Sequence, residues 1–205
     1  IEDVLERGAL MRADAAISNA LQRLRTDSTD AMFLVATLLG DTTVAAALSV
    51  TVVGYLIWRR AFRLATGVGA VMVSCALFVP LAKLTLHISR PTPLYTGFDA
   101  FSFPSGHATA AAALYGLLSW LFLRMPRTRL TPVALLLCAA ALVIIPISRV
   151  YLAAHWPSDI AAGILVGLSL TFVCALLLRR ADTGGLSSVG LLVVVLAGLA
   201  SVGVL

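Results

Sequence analysis

Six long apolar stretches leave this chain few folds to choose from. They cover residues 31–58, interrupted at Gly40-Asp41, and residues 64–88, 106–123, 132–147, 160–178 and 186–205. A helix needs about 20 apolar residues to cross the hydrocarbon of a bilayer. The stretch 132–147 is short of that, and its flanks can extend it. In lipid every backbone N–H and C=O needs an internal partner, so such stretches read as helices. Composition agrees: 60% of the 205 residues are hydrophobic and 12% charged, against roughly 45–50% and 25% in soluble domains. The predicted fold is all-α, an integral-membrane helical bundle of about six hydrophobic segments. It divides into an interfacial segment over 1–30, a core over 31–183 and an additional C-terminal transmembrane segment over 184–205, with Gly184-Gly185 marking the bend.

Residues 1–30 hold six acids and four arginines among apolar residues at helical spacing. That pattern predicts an amphipathic helix along the membrane interface, followed by a capped helix start near Ser28 to Asp30. Cys75, Cys138 and Cys174 lie inside apolar runs without CxxC spacing and read as core filler. Gly163 and Gly167 form a small-xxx-small pair suited to helix packing within the bundle.

The net charge of +5 invites a nucleic-acid reading, which the placement of the charges removes. Beyond residue 30 there are eleven basic residues. Eight fall in three short connections: Arg59, Arg60 and Arg63; Arg124, Arg127 and Arg129; Arg179 and Arg180. If each apolar run crosses once, these connections share one face, which the positive-inside rule makes cytoplasmic. Lys83, Arg90 and Arg149 map near the opposite face. The same parity places residues 1–30 outside, and so predicts a crossing or signal segment upstream of Ile1. The expected location is a bacterial inner membrane, with the polar site facing the periplasm or exterior.

A charge at mid-bilayer costs about 2.5–3.5 kcal/mol on insertion scales, so the polar residues near the outer face are functional candidates. They fall in three stretches: KLTLHISRP over 83–91, PSGH over 104–107, and SRVYLAAHWPSD over 148–159. Lys83 and Arg90 are seven apart and share a helix face if the helix persists that far. With Arg149 they make three cations against few carboxylates, Asp99 and Asp159. An oxyanion is the natural partner, and the arginine fork suits phosphate. Ser105-Gly106 opening a helix adds backbone N–H donors and a positive dipole end. His155 and Asp159 are four apart with Pro157 able to start a helix between them. A carboxylate there can hold one imidazole nitrogen as N–H and leave the other as nucleophile. His107, beside the phosphate cradle, can protonate a leaving alkoxide and later deprotonate water. His87 is tied to nothing by its spacing and reads as a flanking residue.

Taken together these residues resemble the type 2 phosphatidic acid phosphatase (PAP2) superfamily, which includes lipid phosphate phosphatases and vanadium haloperoxidases. Its signature, K-x6-RP, PSGH and SR-x5-H-x3-D, reads here as Lys83 to Arg90-Pro91, Pro104 to His107, and Ser148-Arg149 to His155 and Asp159. The resemblance implies a phosphohistidine mechanism: His155 as nucleophile, Asp159 as its orienting partner, His107 as general acid and base. Lys83, Arg90, Ser105, Gly106 and Arg149 would bind the phosphoryl oxygens, with Pro104 and Ser148 supporting. It implies no metal and no cofactor. Membrane members usually carry a further helix before the interfacial segment, and many have a third basic residue where Thr92 stands.

The implied activity is hydrolysis of a lipid phosphate or diphosphate monoester, of the phosphatidic acid, phosphatidylglycerol phosphate or undecaprenyl diphosphate class. A phosphotransferase would use the same intermediate. A serine hydrolase built on Ser105 lacks the GxSxG turn. A non-catalytic anion- or lipid-binding or transport domain would not need the His155–Asp159 pair. Haloperoxidase chemistry belongs to soluble relatives, whereas the spans here point to lipid.

Overall fold

A computed structural model describes residues 2–91, 100–183 and 185–203; Thr92, Asp99 and Gly184 lie outside them. The helices are α1 (Glu2–Gln22), α2 (Asp27–Leu38), α3 (Thr42–Trp58), α4 (Phe62–Leu86), α5 (Gly106–Arg124), α6 (Thr131–Tyr151), α7 (Pro157–Leu177) and α8 (Ser188–Ser201). Five segments are long and apolar enough to cross a membrane: the α2–α3 pair, α4, α5, α6 and α7. The sixth apolar stretch forms α8, a helix of 14 residues, about 21 Å long. It packs antiparallel on α3: a Cβ on Gly190 would meet Tyr55 Oη at 2.7 Å, and one on Gly198 would meet Thr51 Oγ1 at 2.8 Å.

α5 is the central helix, flanked by α4, α6 and α7. Its contact with α7 is the closest in the bundle and has a simple cause. A Cβ on Gly163 would sit 2.8 Å from the Ser105 carbonyl oxygen, and one on Gly167 2.5 Å from that of Thr109 and 2.7 Å from Ala112 Cβ. The small-xxx-small pair therefore packs inside the bundle, against the alanines of α5. Toward the other end the residues grow, and Leu117, Leu118, Leu121 and Phe122 fill the core with Leu56 and Leu64. Cys75, Cys138 and Cys174 are buried free thiols.

The interruption at Gly40-Asp41 is a true helix break, with Asp41 capping α3 by accepting from Thr43 N at 2.8 Å. α2 lies across α6 rather than along it. Thr29 bonds Tyr151 and Thr37 bonds Arg149, so positions eight apart on α2 meet positions two apart on α6. α2 begins at Asp27, one residue before the predicted start, behind a Thr26/Thr29 capping box. α1 spans the C-terminal end of α6 and the N-terminal end of α7. Among its described residues the buried positions are the polar Asp14 and Ser18, while Leu10 and Met11 are exposed. Asp14 accepts from Ser158 N at 2.9 Å and Ser158 Oγ at 2.6 Å, and Gln22 donates to the Tyr151 carbonyl at 2.7 Å.

The eight arginines of the three connections collect at the end of the bundle away from Lys83, Arg90 and Arg149. Arg124 does more than mark topology. It donates to the carbonyls of Leu178 at 2.6 Å and Ala181 at 2.5 Å, satisfying the end of α7.

Candidate active site

All three sequence motifs meet at the end of the bundle away from the arginine-rich connections. Lys83 comes from the last turn of α4 and is buried. The helix does not continue to Arg90, contrary to the condition attached to the shared face. His87 turns left-handed at φ 51 and ends it, its ring set edge-on against Phe101 at 4.6 Å. Arg90 instead reaches the site from an extended segment paired through Ser89 to Phe101. Two polar groups hold that segment: Ser102 N donates to Ile88 O at 2.7 Å, and Trp156 Nε1 to Ser89 O at 3.0 Å.

Arg90 clasps the turn between α6 and α7. Its Nη1 donates to Ala154 O at 2.6 Å and lies 3.2 Å from His155 Nε2. A guanidinium only donates, so Nε2 is the accepting nitrogen and the neutral ring carries its proton on Nδ1. Nδ1 faces Asp159 Oδ2 at 3.5 Å, with both side chains almost fully buried, at 2% and 1% exposure. Oδ2 also accepts from Trp156 N at 2.9 Å, the capping box of α7 behind Pro157. Burial, followed by the charges of Arg90, Arg149 and Lys83, holds the His155 imidazole well below the ordinary histidine range. It is a neutral ring with a lone pair turned toward cations.

The PSGH segment opens α5. Ser105 is fully buried and caps the helix by accepting from Ala108 N at 3.4 Å, and its own N–H donates to Asp159 O at 3.1 Å. This last bond ties the start of α5 to the start of α7. The N–H groups of Gly106 and His107, in the first turn, have no intrahelical partner and offer an oxyanion two donors. Gly106 and His107 are half-buried, and Pro104 is buried beside them.

On α6, Arg149 is buried and donates from Nη1 to Thr37 Oγ1 at 2.9 Å. Its carbonyl accepts from Ala154 N and His155 N, which shapes the turn carrying the histidine. Ser148 is buried with its hydroxyl donated to Ile145 O at 2.6 Å, so its contribution is to the helix rather than to a ligand. Among the described residues, no three His, Cys, Asp or Glu side chains gather as a metal site would require.

Sequence reasoning missed Thr37, Asp14, Gln22, Ser102 and Trp156, all of which hold site residues or the segments bearing them. No local signal marks Thr37 or Asp14, because they act on partners 112 and 144 residues away in the chain.

The comparisons with known proteins agree with this geometry. The model of the PAP2 superfamily matches residues 65–182. Lipid A 1-phosphatase of Rhizobium etli is 33% identical over 138 residues, covering 62% of this chain and 53% of that protein. The protein of the same name from Rhizobium johnstonii is 38% identical over 87 residues, 42% of this chain and 32% of that one. Phosphatidylglycerophosphatase B of Bacillus subtilis is 32% identical over 77 residues, 37% of this chain and 38% of that one. The chain thus aligns with between a third and about half of the length of these relatives. The crystal structure of a transmembrane PAP2 type phosphatidylglycerolphosphate phosphatase from Bacillus subtilis superposes with a TM-score of 0.74 at 27% identity, over 86% of this chain and 89% of that one. With more than half of its residues inside the family match and its signature side chains converging on one buried site, the chain belongs to the PAP2 superfamily, and its similarities lie with the membrane lipid phosphatases.

Proposed function

We propose that this protein hydrolyses a phosphate or diphosphate monoester carried by a membrane lipid, at the outer face, through a phosphohistidine on His155. The observation that carries the reading is the oriented ring of His155, with Nε2 toward Arg90 and Nδ1 toward Asp159. Nε2 attacks phosphorus while the bond to the lipid oxygen breaks, and His107 gives that oxygen its proton. Water then attacks the phosphohistidine, returning a proton to His107 and releasing inorganic phosphate. Lys83, Arg90, Arg149 and the first N–H groups of α5 neutralise the phosphoryl oxygens as charge builds. The outer-face assignment rests on the eight arginines at the far end of the bundle. The names of the relatives add lipid A phosphates to the glycerol and prenyl phosphates as candidate substrates.

The test is phosphate release by detergent-purified protein from a panel of diacyl, prenyl and lipid A phosphates. His155→Ala is expected to lower release from the preferred substrate by about 10³ or more. Equal release by the variant and the parent would overturn the assignment.

A further inference from the structure

The break between α2 and α3 lies outside the residues matched by the family model, yet it forms one wall of the site. Three contacts show this. Thr37, one turn before the break, receives the hydrogen bond of Arg149. The Leu39 carbonyl at the break accepts from Tyr115 Oη at 3.1 Å, two turns along α5 from His107. Gly40 lies so close to His107 that a Cβ there would be 3.5 Å from the ring carbon Cδ2, and would run into Ile145 Cγ2. Next in the chain is Asp41, half-buried, its carboxylate capping α3 through Thr43 N.

The charges facing His107 make this placement informative. Arg149 on α6, Arg90 on the extended segment and His155 on the α6–α7 turn gather at the same end of the bundle as the ring, and cations so placed make an imidazolium costly. Asp41, next in the chain to the glycine set against the ring, brings a carboxylate to this wall of the site. Lys83 on α4 adds to the positive side, while Asp159 on α7 is turned to His155 and Trp156 N. A general acid in such surroundings needs a counter-charge to hold its proton until the leaving oxygen takes it.

We infer that Asp41 is a positioning residue for the proton donor: its carboxylate sustains the imidazolium form of His107 as the lipid oxygen departs. The inference rests on the acid–base reading of His107 given above. It assigns the helix break a chemical reason, since a short loop at the level of the site lets a carboxylate enter from a helix that carries no signature residue.

Capping and charge can be separated at this position. Asparagine caps a helix about as well as aspartate but carries no charge, whereas glutamate keeps the charge and caps poorly. The experiment measures kcat/KM against pH for Asp41→Asn and Asp41→Glu in the full chain, with an alkyl phosphate lipid and with p-nitrophenyl phosphate. Loss of the His107 proton limits the alkaline side, and removing a nearby negative charge makes that loss easier. In Asp41→Asn the alkaline limb is therefore expected about one pH unit lower for the alkyl phosphate, a deficit of about tenfold above the limb. The deficit shrinks for p-nitrophenyl phosphate, whose leaving group departs without a proton. Asp41→Glu keeps the parental limb even where its thermal stability falls. An Asp41→Asn profile that coincides with the parent, or equal deficits on both substrates, would overturn the inference. Full activity in His107→Ala would instead remove the acid–base reading beneath it, so the two failures are distinguishable.

Discussion

α5 is two helices in one, and its halves show how this bundle separates chemistry from stability. At the half nearest the site, residues 108–113 are all alanine or threonine, and Gly163 and Gly167 of α7 lie against them at distances no Cβ could share. The polar side chains buried there, Lys83, Arg149, His155 and Asp159, come from α4, α6, the α6–α7 turn and α7. At the half away from the site, Leu117, Leu118, Leu121 and Phe122 interlock with Leu56 and Leu64 in an apolar core. Removing bulk brings backbones together so that charged groups can meet; adding bulk fills the space where none are needed. The two ends should therefore fail differently when they are altered.

After the loss of His155 itself, the largest effect on activity is expected at Arg90, which holds both the Ala154 carbonyl and the Nε2 face of the histidine. Arg90→Ala should lower kcat/KM by about 10²–10³, with a melting temperature close to the parent. Its pH profile should also change in a defined direction. Arg90 is the leading charge that depresses the His155 imidazole. Without it the ring protonates more readily, so the acid limb of the residual activity should move to higher pH.

A smaller loss is expected for Gly167→Ala. The new methyl would press on the Thr109 carbonyl and Ala112, pushing α7 from α5 and moving His155 relative to the PSGH turn. Misplacement by about 1 Å costs on the order of 10²-fold in rate, and overpacking costs about 1–3 kcal/mol of stability. A kcat within twofold of the parent would show that the close approach serves packing alone.

Asp14→Ala should lower activity by about three- to tenfold and stability by about 1 kcal/mol, the usual worth of a helix cap. The capped helix carries Asp159, so the loss should appear in kcat rather than KM. Least effect on turnover is expected for Leu121→Ala, in the half away from the site. Thermal or denaturant unfolding should register a loss of about 2–5 kcal/mol while kcat/KM stays within about twofold. A large fall in turnover there would erase the distinction between the two ends.

The spans and the three motifs were legible in the sequence for different reasons. Apolar runs report which segments lie in lipid, and 64–88, 106–123 and 160–178 became α4, α5 and α7 with ends moved by three residues or fewer. The motifs were legible because three cations and two histidines are costly in lipid and so stand out from it. Hydropathy is silent, however, on how helices turn and cross. It could not show that α2 lies over α6, since that rests on Thr29 and Thr37 meeting residues more than 100 positions away. Nor could seven-residue spacing show that Arg90 leaves the helix, because the left-handed turn at His87 breaks the periodicity on which the spacing argument depends.

α1 carries none of the signature residues and lies wholly before the family match, yet Asp14 and Gln22 fasten the turn and helix that bear the two signature residues His155 and Asp159. The unit of inheritance and the unit of action thus have different borders in this protein. A relative that keeps every signature letter but exchanges its leading helix inherits the reagents without the fixture that aligns them. The tuning of turnover among such proteins can therefore be written in a stretch of sequence that no motif search would think to compare.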